Sequence, residues 1–175
     1  QLPITVNRPI NLSDLKIKGL EITWVQPLDF LMDGLGFDVT NRKALITGDG
    51  NSRFSSTKLS DIASFTHKAI TTLDLPKPGQ GRNLYLQGFS ASWNELLDIS
   101  EKIDGKKWER SYRSVEPFEA KQQRPDLEGF FAWLIASFAG SKNRGLIDPK
   151  KLKHDEVGWT PKVTKEIAVK EIIGA

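Results

Sequence analysis

A chain of 175 residues has room for one ordinary core, and its 38% apolar and 27% charged residues fit a soluble globular protein. No apolar run approaches the roughly 20 residues of a membrane span; Phe130 to Ala139 is the best candidate and is too short, and no signal peptide is visible. With no cysteine, disulfides, zinc–thiolate sites and thiol catalysis are excluded, which suits a reducing, cytoplasmic setting, and a net charge of +3 does not point to nucleic acid. The chain opens at Gln1, and Met32 is its only methionine. The expectation is a processed chain, a fragment or part of something longer.

Leu12 and Leu15 share one face of a short predicted helix, with Gly19 as its stop. Glu21 to Val25 is β-branched and aromatic and reads as a strand that Pro27 ends. Phe30 to Phe37, with Gly34 and Gly36, reads as a loop or broken helical turn. Lys43 to Thr47 is a second strand, followed by the turn Gly48-Asp49-Gly50-Asn51 and a short returning strand over Arg53 to Ser56. Ile62, Phe65, Ala69, Ile70 and Leu73 have helical spacing, so a helix is predicted from Asp61 to Leu73 with Ser60 as N-cap. Leu75 to Gly81 is a proline-glycine loop.

Asn83 to Gln87 is a third, buried strand. Ser92 and Glu95 form a capping box before a helix that ends at Gly105, with Trp93, Leu96, Leu97 and Ile103 inward. Trp108 to Val115 is a half-exposed fourth strand, because its charges alternate onto one face. In the helix from Asp126 to Ala139, apolar residues go more than halfway round, so it is either buried or covers a ligand. A basic polar connection, Asn143 to Asp155, and Trp159-Thr160-Pro161 lead to a last helix near Thr164 to Ile173. Strands alternating with helices argue α/β with part of the sheet parallel, yet the count resembles the back half of a doubly wound domain.

No complete catalytic set emerges from the residues. The pairs Gly34/Gly36, Gly48/Gly50 and Gly79/Gly81 lack the third glycine of a dinucleotide fingerprint, having Val39, Arg53 and Leu84 instead, and read as turns. A Tyr-x-x-x-Lys pair for hydride chemistry is absent, since Phe89 follows Tyr85 and Glu116 follows Tyr112 at that spacing. His67 reads as helix surface and His154 as a solvated loop residue. Asp29 and Asp33 could do acid–base work beyond a strand end, although capping is the commoner meaning. Lys150, Lys151 and Lys153 read as a solvated run.

Gly19-Leu20-Glu21-Ile22-Thr23-Trp24-Val25-Gln26-Pro27 is similar to a strand of the NmrA-like and isoflavone-reductase-like proteins, with Phe30 and Met32 at the hydrophobic positions after it. Gly48-Asp49-Gly50-Asn51, then Phe54-Ser55-Ser56-Thr57 and Asp61-Ile62, resembles a second stretch. Asn83-Leu84-Tyr85-Leu86-Gln87-Gly88, then Ser92-Trp93-Asn94-Glu95-Leu96, resembles a third. The likeness covers roughly residues 19 to 115 and is less clear elsewhere.

The resemblance places the chain with the atypical short-chain dehydrogenase/reductase superfamily. It implies that residues 1–175 are the C-terminal part of a Rossmann-type parallel sheet plus a small α+β substrate-binding lobe. The N-terminal half with the glycine fingerprint, which binds NADP or NAD, would lie outside this sequence. It puts Pro27, Leu28, Phe30 and Met32 in the loop beside the nicotinamide ring and substrate, where an apolar wall would exclude water, with core packing as the open alternative. Phe130, Phe131, Trp133 and Leu134 are a second candidate pocket wall, again against core packing. The family's reductases use a lysine about eleven residues before the Gly19 position, where this chain has Arg8, and Lys16 and Lys18 fall too close to the strand.

Two functions follow as expectations. The chain is the substrate-side half of an NAD(P)H-dependent reductase acting on a small organic substrate, aromatic ones included. The alternative is a non-catalytic dinucleotide-sensing regulator or partner-binding protein, which the missing lysine favours; a stable fragment with no activity is a third reading. The expected partners are a small molecule and either a second copy or an N-terminal half, not nucleic acid or membrane. The chain alone is expected to be inactive and to expose apolar surface where that half docks.

Overall fold

The computed structural model describes residues 14–17, 20–24, 36–74, 82–143 and 145–175. In chain order the elements are β1 (Asp14–Ile17), β2 (Leu20–Trp24), β3 (Phe37–Asp38), β4 (Lys43–Thr47), β5 (Phe54–Ser56), α1 (Leu59–Thr72), β6 (Arg82–Leu86), β7 (Phe89–Ala91), α2 (Trp93–Asp104), β8 (Glu109–Arg113), α3 (Glu116–Lys121), α4 (Leu127–Phe138), α5 (His154–Val157) and α6 (Lys165–Ile173). Among the described residues the architecture is mixed α/β with three small sheets.

Two interleaved crossovers organise the strands. β2 pairs in parallel with β6, and β4 pairs in parallel with β8, so each pair encloses one strand of the other along the chain. β1 adds antiparallel to β2, and β3 adds antiparallel to β4. The third sheet is the antiparallel ribbon β5–β7.

Each parallel pair has its own apolar cluster. α1 presents Ile62, Phe65 and Ala69, on the helical spacing read from sequence, to Leu84 and Leu86 of β6 and to Val157 and Trp159. α2 presents Trp93, Leu96 and Leu97 to Ile46 of β4, Phe54, Phe138 and Val169. The Trp93 ring lies 4.6 Å from the rings of both Phe37 and Phe54. Phe54, Phe65, Leu84 and Leu86 are wholly buried, each contributing about 1.5–3 kcal/mol of transfer free energy. Ser92 caps α2 by accepting from the Glu95 amide, and Gly105 ends it in the left-handed region, both as expected.

Three local expectations are corrected. Leu15 is in strand β1, not a helix: residues 14–17 exchange ladder contacts with residues 20–23, and that pairing overrides the short helical spacing. Leu12 and Gly19 lie outside the described residues. The N-cap of α1 is Lys58 rather than Ser60; the Lys58 carbonyl accepts from the amides of Asp61 and Ile62, and Ser60 is already inside the helix. The strand at Phe54–Ser56 does not return along β4, whose two edges are taken by β3 and β8; it pairs with β7 instead. Among the described residues, no helix is long and apolar enough to cross a membrane.

Candidate functional site

In open α/β sheets ligands bind outside the carboxyl ends of parallel strands. Two such ends occur among the described residues. Trp24 of β2 is in register with Leu86 of β6, and Gln87 follows directly at that end. Thr47 of β4 is in register with Arg113 of β8.

At the first end a polar knot surrounds Gln87. The Gln87 backbone amide donates to His154 Nε2 at 3.0 Å, and the wholly buried Ser55 hydroxyl donates to Gln87 Oε1 at 2.6 Å. Ser55 Oγ also accepts from the Ile147 amide at 3.0 Å. Because His154 Nε2 accepts, it carries no proton, and burial lowers the pKa of the ring against a smaller opposing effect from Asp155. The ring sits edge-on to Trp159 and Phe65, with centroids 5.0 Å and 6.4 Å away. Next to it, the Lys153 amide donates to the Tyr85 carbonyl and Leu152 bridges to Tyr85, so this segment extends the sheet edge. The expectation that His154 is solvated is thus corrected: it is half-buried and bonded to a strand end distant in sequence. His67 is exposed on α1, as expected.

At the second end Arg113 Nε donates to Thr47 Oγ1 at 2.8 Å, and the guanidinium carbon lies 4.6 Å from the centre of the Phe118 ring of α3. Burial lowers the pKa of this side chain. The Gly48-Asp49-Gly50-Asn51 turn follows Thr47. Asn94 binds it through the Asp49 carbonyl and Asn51 Oδ1, and the Asn94 amide donates to the Gly50 carbonyl. Gly50 has φ +74°, and a Cβ there would meet Asn94 Oδ1 at 2.8 Å. This pair of glycines therefore makes a fastened turn leading into strand β5, as read from sequence, rather than a phosphate loop opening a helix.

The first candidate wall, Pro27, Leu28, Phe30 and Met32, lies outside the described residues, as do Asp29, Asp33, Arg8 and Lys18. The second wall is divided. Leu134 is buried in the larger core, Phe130 and Trp133 pack partly against it, and Phe131 is 45% exposed. Phe130 stacks on Trp133 at 6.3 Å and meets Phe131 edge-on at 5.6 Å. An apolar crevice lies elsewhere, between α2 and α6, with Leu97, Trp108, Val169 and Ile172 in its walls. Gln87, Ser55 and Arg113 were not singled out from sequence. The signal available for Arg113 was its place at the end of an alternating charged strand. Ser55 and Gln87 become partners only through pairing across the fold.

The N-termini of α2, α4 and α6 are already capped by Ser92, Asp126 and Thr164, and α1 places the buried Asp61 carboxylate in its first turn. A pyrophosphate at any of them would have to displace an oxygen or face a carboxylate. No group of three or more metal-ligating side chains occurs among the described residues.

No family model matches the chain. The oxidoreductase poxI of Penicillium oxalicum is 24% identical over 117 residues, which are 65% of this chain and 36% of that protein. Isoflavone reductase superposes with a TM-score of 0.61 at 18% identity, over 87% of this chain and 52% of its own. The chain shares its fold. The triphenylmethane reductase of Citrobacter superposes with a TM-score of 0.57 at 20% identity, over 87% of this chain and 52% of its own, and its complex with NADP(H) gives 0.55. The chain thus spans about half the length of these structures and a smaller share of poxI. The likeness to isoflavone-reductase-like folds expected from the sequence is present in the structure.

Proposed function

We propose that this chain supplies the substrate side of a cytoplasmic NAD(P)H-dependent reductase acting on a small organic molecule. The observation that carries the reading is the common fold with isoflavone reductase and with a triphenylmethane reductase that binds NADP(H), each matched over about half its length. The division of labour is supported by the extent of the match, which takes in about half of each of those chains. The dinucleotide would then be held by residues outside those described, and the carboxyl ends of β2/β6 and β4/β8 would face the substrate. Pro27, Leu28, Phe30 and Met32 remain the proposed wall beside the reacting centre, where they would exclude water. Phe130, Phe131 and Trp133 are a proposed apolar surface for the substrate or for the rest of the protein, with Leu134 anchoring their helix in the core. The partner is a small molecule, and a second copy or an N-terminal half covers the exposed apolar residues.

The test is NADPH oxidation by the complete protein against panels of carbonyl and alkene substrates. Substrate-dependent oxidation above background supports the reductase. Binding of NADPH with no turnover on either panel would replace it with the dinucleotide-sensing alternative.

A further inference from the structure

We propose that Arg113 is an anion-recognition residue that takes the carboxylate of a small organic ligand at the carboxyl end of the β4–β8 pair. Among the described arginine side chains, Arg42 pairs with Asp104, Arg53 with Glu95, Arg110 with Asp98 and Glu101, and Arg124 with Asp126 and Glu128. Arg113 has no carboxylate partner among the described residues, although it is half-buried and its pKa is lowered by desolvation with no opposing charge. A desolvated cation without a counter-ion is costly, and a bound anion would offset that cost.

The geometry leaves the binding edge open. Nε is used by Thr47 Oγ1 at 2.8 Å, which fixes the guanidinium plane, and Phe118 covers one side at 4.6 Å. The two terminal nitrogens donate to nothing among the described residues. Their parallel N–H groups match the two oxygens of a carboxylate. The place is also right, because Thr47 and Arg113 end two neighbouring parallel strands. A monoanion suits the site better than a phosphate dianion, since α3 follows directly with Glu116 and Glu119 in its sequence. Phe118 adds an apolar face, so an aromatic carboxylate fits both features.

This inference does not depend on the reductase reading, because it concerns binding without dinucleotide or turnover. The probes are benzoate and its uncharged isostere benzamide, titrated into the full chain by calorimetry. Benzoate is expected to bind about tenfold tighter than benzamide, and Arg113→Gln to remove that difference while leaving benzamide unchanged. Arg113→Lys keeps the charge but not the fork and is expected to recover only part of it. In the unmodified chain, benzoate should shift the Arg113 side-chain NMR resonance, which needs no variant to fold. Equal affinities for the two probes, an unchanged benzoate affinity in Arg113→Gln, or no resonance shift would each overturn the assignment. The last is the result if a carboxylate of the chain itself already fills the fork.

Discussion

His154 accepts a hydrogen bond from the Gln87 amide while half-buried against two aromatic rings, so its neutral form is the one the fold holds. Burial lowers its pKa below the ordinary value of 6.5. The unfolded chain therefore binds the proton first as pH falls, and stability declines from about pH 6.5 down towards the folded pKa, with the contribution intact above that window. Thermal unfolding from pH 8 to pH 5 should show this decline, on the order of a few degrees, and His154→Phe should flatten it. The variant should also lose about 1–3 kcal/mol for the bared Gln87 amide. Glu101 acts at lower pH. Hydrogen bonds from Lys107 and the Trp108 amide, with Arg110 adding to them, bring its pKa from 4.5 to about 2. Its contribution is present above about pH 4.5 and is lost as pH falls towards 2, and Glu101→Gln should reduce the acid-induced loss of stability over that range. Neither role was legible in the sequence. His154 stands in a basic connection, where solvation is the ordinary state, and its partner is 67 positions away.

At the level of elements, legibility followed locality. β4, α2 and α4 carry their signals within a few residues: alternation in Lys43–Thr47, Ser92 and Gly105 around α2, Asp126 before α4. β1 is a strand through its antiparallel pairing with the adjacent β2, and β7 through its distant partner β5, and no pattern within their own four or three residues records that. The entry to α4 is sensitive to volume. A Cβ on Gly129 would lie 2.1 Å from the Arg124 carbonyl oxygen, so Gly129→Ala should destabilise the chain by about 1–3 kcal/mol, measured by urea unfolding. Asp61 fastens a different element. Its buried carboxylate accepts from the amides of Lys162 and Val163, just ahead of α6. Asp61→Ala should cost about 1–3 kcal/mol for each bared amide and raise hydrogen exchange in α6 before the rest of the chain.

For the whole molecule, the order of segments carried the resemblance, and the fold matches about half of isoflavone reductase. The interleaving of β2–β6 with β4–β8 was not legible, because each crossover spans elements that belong to the other. The glycine turn after β4 is not a dinucleotide loop, because it is fastened by Asn94 and leads to a strand. If these residues form the substrate side and the dinucleotide is held elsewhere, the chain should not bind the cofactor by itself. Calorimetric titration of NADPH into the 175-residue chain tests this directly. No saturable binding is expected up to about 1 mM NADPH, whereas a Kd below about 1 µM would place the cofactor on this chain and contradict the division of labour.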